Sequence, residues 1–267
     1  ALFDGNTDYT INSCATSRCF FGQFNMDSEI MKDQNVRKAV EMGIDKDGFC
    51  SVIMQGRGVP AKAAFPNSFS YGNDAVETVS YDPDGAKKLL EESGWTDTDG
   101  DGYVDKDGQK LSINWLTYPT RLEQPKLAEY AQATLKDIGI DVVVNNTSDH
   151  MTIAKSGDFD VYVSSTTTAP TGDPEYWFTV FATSDATKNQ GAYKNEKLDQ
   201  LEEQLSQEFD TDKRAKLAVE MQQTVLDDNA FVYCSFLKMS QISRANVTGY
   251  MAHACDYYQV TADLDIN

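Results

Sequence analysis

The sequence predicts a layered α/β domain, and three observations lead there. Short apolar runs of strand length alternate with capped, amphipathic helical segments, though not in strict βαβ order. Apolar residues make up 40% of the 267, with 13 Phe and 13 Tyr, enough to bury a substantial core. The length suits one large domain or two small ones, and no internal repeat or low-complexity linker divides the chain.

The elements follow in order. "RCFFGQFNM" (18–26) is apolar and aromatic and reads as a buried strand. In "DQNVRKAVEMGID", Asp33 is an N-cap, and Val36, Ala39, Val40 and Gly43 or Ile44 share one helical face. Asp45 caps a second short helix carrying Phe49, Val52 and Ile53. Residues 55–74 hold Gly, Pro and small side chains throughout and read as a long irregular connection. In "YDPDGAKKLLEESGW", Asp82 supplies the cap oxygen and Pro83 fits the first turn. Ala86, Leu89 and Leu90 form the stripe, and Gly94 suits the position after the last turn. "KLSINWLTY" (110–118) alternates as a strand, with Leu111, Ile113 and Trp115 on one side.

"LEQPKLAEYAQATLKDIG" is a helix with Leu127, Tyr130, Ala131, Leu135 and Ile138 on one face and Gly139 at its end. "IDVVVNN" and "DFDVYVSS" (158–165) are strands. Asp173 is read as the N-cap of a helix with Pro174 in its first turn and Tyr176, Trp177, Val180 and Phe181 along it. Two more helices carry Leu198, Leu201 and Leu205, then Leu217, Met221 and Val225. Residues 230–243 give a last strand. The first 30 or so residues and the last 25 lack helical patterning, as segments paired at a domain edge do.

The formal charge is −19. That argues against nucleic acid and against anionic membrane surfaces, both of which call for Lys and Arg. It suits a soluble, secreted or cell-surface protein that takes cationic or neutral ligands. No run approaches the ~20 apolar residues of a membrane helix. "ALFDGNTDYT" lacks the basic start and apolar stretch of a signal peptide, so a mature chain or an excised segment is expected. Cysteines stand at 14, 19, 50, 234 and 255. An odd count leaves at least one unpaired within the chain. Without C-x-x-C there is no support for a zinc ribbon or a thioredoxin-like site. Cys50 and Cys234 read as small core residues. His150 belongs to no metal motif, and His253 with Cys255 makes two ligands, too few for a site.

"WTDTDGDGYVDKDG" (95–108) resembles a calcium loop. Counted from Asp97, the EF-hand positions 1, 3 and 5 are Asp97, Asp99 and Asp101. Gly102 is at 6, the Tyr103 carbonyl at 7 and Asp105 at 9. Position 12, where a bidentate acid belongs, is Gly108. These residues suit weak calcium binding, at the ~10⁻⁴–10⁻³ M of extracellular modules, or a solvated Asx/Gly turn that needs no ion.

Four blocks, in order, carry a family resemblance: "NVRKAVEMGIDKDGF", "YDPDGAKKLLEESGWTDTDGDGYVDKDGQKLSINW", "KLAEYAQATLKDIGIDVVV" and "YKNEKLDQLEEQLSQEFDTDKRAKLAVEMQQTVLDDNAFVYCSF". Together they resemble the family 5 extracellular solute-binding proteins, the peptide/nickel group of ABC importers. The likeness covers about residues 20 to 245. It implies the C-terminal lobe of a two-lobed, type II-like periplasmic-binding-protein fold: a mixed sheet flanked by helices, in a mature chain roughly twice as long. It divides the chain into a crossover or hinge strand segment (1–30), an α/β ligand-binding lobe (31–244) and a return crossover (245–267). It also puts the aspartate loop on the outside of the lobe, away from the cleft.

In that family the strand matching "FDVYVSS" delivers a loop into the cleft. Here the resemblance implies Thr166, Thr167, Thr168 and Thr171 as ligand-facing hydroxyls. Many peptide-binding members carry an Asp in this loop for the peptide amine, where this chain has Pro170 or Thr171. "APTGDP" resembles the nickel-type pattern "W-G-A-P-Y-D-P" in part, with Thr in place of the aromatics. Arg18 could reach a ligand carboxylate or form a surface ion pair. Tyr257, with Tyr258, would line the cleft from the return crossover.

The expectation is therefore a transport receptor. It would capture an oligopeptide or a nickel or other metal chelate outside the membrane and deliver it to ABC permease subunits. It would be a monomer, extracellular or periplasmic, anchored as a lipoprotein in full-length form, completed by an N-terminal lobe and in need of no cofactor. A calcium-dependent adhesion or scaffolding module built on the loop at 97–105 is the alternative. The chain shows no G-x-S-x-G, H-E-x-x-H or phosphate loop, and two histidines leave little general-base capacity, so no enzyme is expected.

Overall fold

In chain order the elements are β1 (Tyr9–Phe24), α1 (Gln34–Gly43), α2 (Lys46–Gly48), β2 (Gly58–Pro60), α3 (Pro83–Glu92), β3 (Asp105–Lys106) and β4 (Gln109–Lys110). Then come β5 (Ser112–Thr117), α4 (Glu123–Lys136), β6 (Asp141–Asn146), α5 (His150–Ser156), β7 (Val161–Thr167) and α6 (Glu175–Trp177). The last are α7 (Glu196–Gln207), α8 (Thr211–Asp227), β8 (Phe231–Arg244), β9 (Val247–Thr248) and β10 (Asp265–Ile266). This computed structural model describes residues 3, 5–258 and 260–267. Positions 1, 2, 4 and 259 of the two expected crossover segments lie outside the described residues. Among the described residues no helix is long and apolar enough to cross a membrane.

The main sheet has six strands in the order β2-β8-β1-β7-β5-β6. β1 runs antiparallel to both β7 and β8, while β5 is parallel to β6 and β7. The sheet is therefore mixed, as expected. β1 is central, and its residues 16–24 are buried without interruption. A strand covered on both faces reads as a continuous apolar run rather than an alternation, which is why "RCFFGQF" looked as it did.

Phe20, Phe24, Ile113, Trp115, Val161, Val163 and Val232 pack on one side against α1, α3 and α4. Cys19, Phe21, Phe231, Tyr233 and Phe236 pack on the other against α6, α7 and α8. Farther along that second face, α5 covers Leu116, Phe159 and Tyr162. Gly22 lies where the strands crowd together. A Cβ there would stand 2.8 Å from Val232 and 2.9 Å from Val161.

The caps are those the sequence implies. Asp33 accepts from the Asn35 N–H, Asp45 from Gly48 and Asp82 from Gly85, with Pro83 in the first turn. Gly94 and Gly139 close their helices at φ +86° and +83°, the left-handed region glycine enters without strain.

Candidate functional site

In open α/β sheets ligands gather beyond the carboxyl ends of the parallel strands. Here those are the C-terminal ends of β5, β6 and β7. β7 ends at Thr167, and residues 168–174 carry the chain to α6. The backbone N–H and the hydroxyl of Thr168 both donate to the Ser17 carbonyl, at 2.8 and 3.0 Å. Tyr71 donates its hydroxyl to the Gly172 carbonyl at 2.6 Å. Asp173 accepts the Glu175 N–H at 2.9 Å, so it does the work of a cap. The helix it was expected to open, however, is only α6, which passes at once into a π-helical turn, Phe178–Ala182. Asp173 is also held by Arg214 at 2.8 and 3.0 Å, and Arg214 reaches Glu175 at 2.7 Å.

Arg18 departs from expectation. Its ion pair is a buried one rather than the surface pair considered: it sits inside β1, is 5% exposed, and grips Asp256 with both Nε and Nη2. Thr167 donates to the same carboxylate at 2.9 Å. Burial works against charge on both partners. For Arg18 the hydrogen bond and charge of Asp256 outweigh it, and its pKa stays above the usual value. For Asp256 the hydrogen bond and charge of Arg18, the Thr167 hydroxyl and the charge of Arg121 outweigh it, and the carboxyl is held below the usual range. Asp256 thus occupies the Nε–Nη2 edge of Arg18. Arg18 and Thr167 tie the segment near 256 to β1 and β7, and Thr168 ties the loop to Ser17. Of the expected set, Thr166, Thr171 and Tyr257 keep accessible side chains. Tyr257 lies 62% exposed, its ring 5.8 Å from the Arg18 guanidinium.

Beside Thr166 opens a cavity of 180 Å³ between α5, β7 and the turn at 186–190. Tyr162, Ser164 and Thr166 face it from alternate positions of β7. His150 Nδ1 shares a 2.8 Å hydrogen bond with the Tyr162 hydroxyl, and its ring stacks on Tyr118 at 4.3 Å. Burial lowers the His150 pKa against the opposing pull of Asp149, which favours the neutral ring. The sequence offered no role for His150, Tyr118 or Lys188; the only legible signal was the alternation of Tyr162, Ser164 and Thr166.

The aspartate loop lies elsewhere. It leads into the N-terminal end of β5, whereas the threonines leave the C-terminal end of β7. These two strands are parallel, so loop and threonines sit at opposite ends of the sheet. Carboxylate oxygens of Asp97, Asp99 and Asp105 come within 4.8 Å of one another. Asp101 does not join them: it is drawn 2.6 Å from Lys110, and it accepts the Tyr103 N–H. Lys110 in turn sits over the Tyr103 ring at 4.3 Å. Of the four expected carboxylates, three thus lie together and Asp101 stands apart. Backbone N–H groups of Gly100 and Gly102 already donate to Asp97, and Thr98 donates to Asp105. His253 accepts the Cys255 N–H at 3.0 Å, which is a local turn. All five cysteines are free thiols.

Residues 1–189 match the sequence profile of the bacterial extracellular solute-binding proteins, family 5, middle region. The oligopeptide-binding protein AppA of Bacillus subtilis is 28% identical over 251 residues, 91% of this chain and 46% of that protein. The nickel-binding protein NikA of Staphylococcus aureus is 28% identical over 186 residues, 69% of this chain and 36% of that protein. A crystal structure of a nickel ABC transporter from Bacillus halodurans superposes with a TM-score of 0.84 at 26% identity, covering 99% of this chain and 55% of that one. The chain spans about half the length of the curated relatives it matches.

Proposed function

The chain belongs to the bacterial extracellular solute-binding proteins of family 5, and from that premise we propose that it is the C-terminal lobe of an ABC-importer receptor. The lobe presents the carboxyl ends of β5, β6 and β7 to a second, N-terminal lobe. An oligopeptide or a nickel or other metal chelate is held between them and handed to the permease. The observation that carries this reading is the loop after β7, pinned at Ser17, Tyr71 and Arg214 while Thr166 and Thr171 stay open to solvent.

Residues 1–30 and 245–267 serve in this reading as the two crossovers, and closure is a hinge motion driven by contacts that exist only in the closed form. The receptor acts as a monomer outside the membrane, with a lipid anchor on its full-length form. The family consists of non-enzymatic solute-binding proteins, and this chain is read as a binder, without catalysis. The same membership favours this reading over the adhesion alternative built on the aspartate loop, which lies at the opposite end of the sheet from the threonines. A calcium ion among Asp97, Asp99 and Asp105 would be a structural accessory only, detected as a rise in melting temperature with added calcium that Asp97→Asn abolishes.

Calorimetry tests the reading. Trialanine and nickel–histidine are titrated into this chain and into a two-lobed form. The expected result is weak binding by the single lobe and at least a hundredfold tighter binding by the pair, roughly 3 kcal/mol. Tight binding by the single lobe contradicts the two-lobed account, and no binding by the two-lobed form contradicts solute capture.

A further inference from the structure

The cavity beside Thr166 is chemically unlike the rest of the molecule. The chain carries 42 Asp and Glu against 23 Lys and Arg, yet no carboxylate lines this cavity and one lysine, Lys188, does. Among the described residues Lys188 makes no ion pair; its ammonium sits 5.6 Å from the Phe181 ring centroid.

The floor is more telling. Gln23 is 1% exposed and lines the cavity. The Gln190 backbone N–H points at its side chain at 2.9 Å. A backbone N–H is always a donor, so the atom facing it is the carbonyl oxygen, and Nε2 is left as a donor with no partner among the described residues. That donor opens on the cavity, where water or a bound group supplies its acceptor. The hydroxyls of Ser164, Ser165 and Thr166 also lack a partner among the described residues, and that of Ser165 is buried. The set is one ammonium, one amide NH₂ and three hydroxyls, with nothing of negative charge.

We propose that this cavity receives a carboxylate of the captured solute, held by the Gln23 amide, the Ser164 and Thr166 hydroxyls and the Lys188 ammonium. The proposal rests on the reading of the chain as a solute receptor and names the group its solute must carry. It also runs against the bulk charge, which taken alone favours cations and neutral ligands. The carboxylate comes either from the C-terminus of a peptide or from an amino-acid chelator around a metal; the cavity reads the group they share. Charge-assisted hydrogen bonds from an ammonium and neutral donors suit it.

The test is a titration of the ¹⁵N-labelled chain with sodium acetate, with acetamide as the uncharged control at matched ionic strength. Saturable shifts of the Gln23 side-chain amide and the Gln190 backbone amide are expected with acetate and not with acetamide. Lys188→Met, at an exposed position that leaves the fold intact, is expected to weaken acetate binding roughly fivefold or more. Equal shifts with acetamide, no saturation, or an unchanged affinity in the variant overturns the proposal.

Two solute arms separate the sources: trialanine against its C-terminal amide, and nickel–histidine against nickel–histidinamide. The solute that binds is expected to lose affinity on amidation in the unmodified chain, and the loss caused by amidation is expected to shrink in the Lys188→Met background. Failure of acetate while either solute binds removes the cavity's role and leaves the receptor reading standing. Acetate binding as described, with neither solute bound by the two-lobed form, supports the cavity and counts against the receptor reading instead.

Discussion

Arg18 and Asp256 stand 238 residues apart in the chain and meet in a two-pronged ion pair whose side chains are 6% and 8% exposed. Removing one partner strands the other charge in the interior. Asp256→Asn is expected to cost about 3–5 kcal/mol, and the double change to apolar residues of similar volume much less. Chemical denaturation of the two variants distinguishes these. The pH dependence has a definite sign. The Asp256 carboxyl lies below its usual range in the folded protein, so its stabilisation is complete above the unfolded pKa of about 3.9. It is lost as pH falls through the folded value. Melting curves between pH 5 and pH 2 are expected to flatten in Asp256→Asn. Arg18, its pKa raised still further by Asp256, stays charged throughout and adds no slope there.

Thr168 and Thr171 should separate packing from exposure. The Thr168 hydroxyl is buried and donates to the Ser17 carbonyl, so Thr168→Val is expected to destabilise by about 1 kcal/mol. Thr171 is exposed, and Thr171→Val is expected to stay within about 0.5 kcal/mol. Urea midpoints at constant m-value check both.

Arg214 fastens the loop from outside, through Asp173, Glu175 and the carbonyls of Leu205 and Glu208. Its partners are part-exposed, so Arg214→Met is expected to cost about 1–3 kcal/mol. Arg214→Lys is expected to restore little, because an ammonium cannot fork across two carboxylates. Thermal unfolding of the pair reads out the difference.

Gly22→Ala should be costly although alanine is the smallest addition. Its Cβ would come within 3 Å of Val232 and Val161 in the middle of the sheet, and such overpacking costs about 1–3 kcal/mol. A second change, Val232→Ala, makes room, and a double-mutant cycle is expected to show recovery.

Much of this fold could be read from local chemistry. Asp33, Asp82 and Pro83 mark helix starts because capping is decided within four residues. Leu111, Ile113 and Trp115 alternate because the strand's two faces meet different surroundings. The first half of β1 was expected as strand only from the family resemblance, not from its own residues. "YTINSCATS" is polar and half-exposed, and it is a strand only because β8 pairs with it from Tyr9 onward. α5 was missed: His150–Ser156 is short, and its clearest sign is Gly157 in the left-handed conformation after it. The π-helical turns at Phe49–Ile53 and Phe178–Ala182 share apolar spacing with ordinary helix, so periodicity could not tell them apart. At the site the threonines were found as a group, but whether each faced solvent or interior depended on Ser17 and Asp256, which lie far away in sequence.

The pairing of β1 with β8 also sets a schedule for the making of the protein. Gln23 finds its partner Phe231 only after about 200 further residues have been made. At ribosomal speeds of ~5–20 residues per second, the central strand waits about 10–40 s with one edge open. Until then Phe20 and Phe21 have no finished interior to enter, and this sheet cannot close in the order in which its strands are made. A polypeptide that stays unfinished for so long is vulnerable to aggregation and depends on holding factors. It is also still threadable, the condition in which a protein destined for the far side of a membrane has to reach its channel.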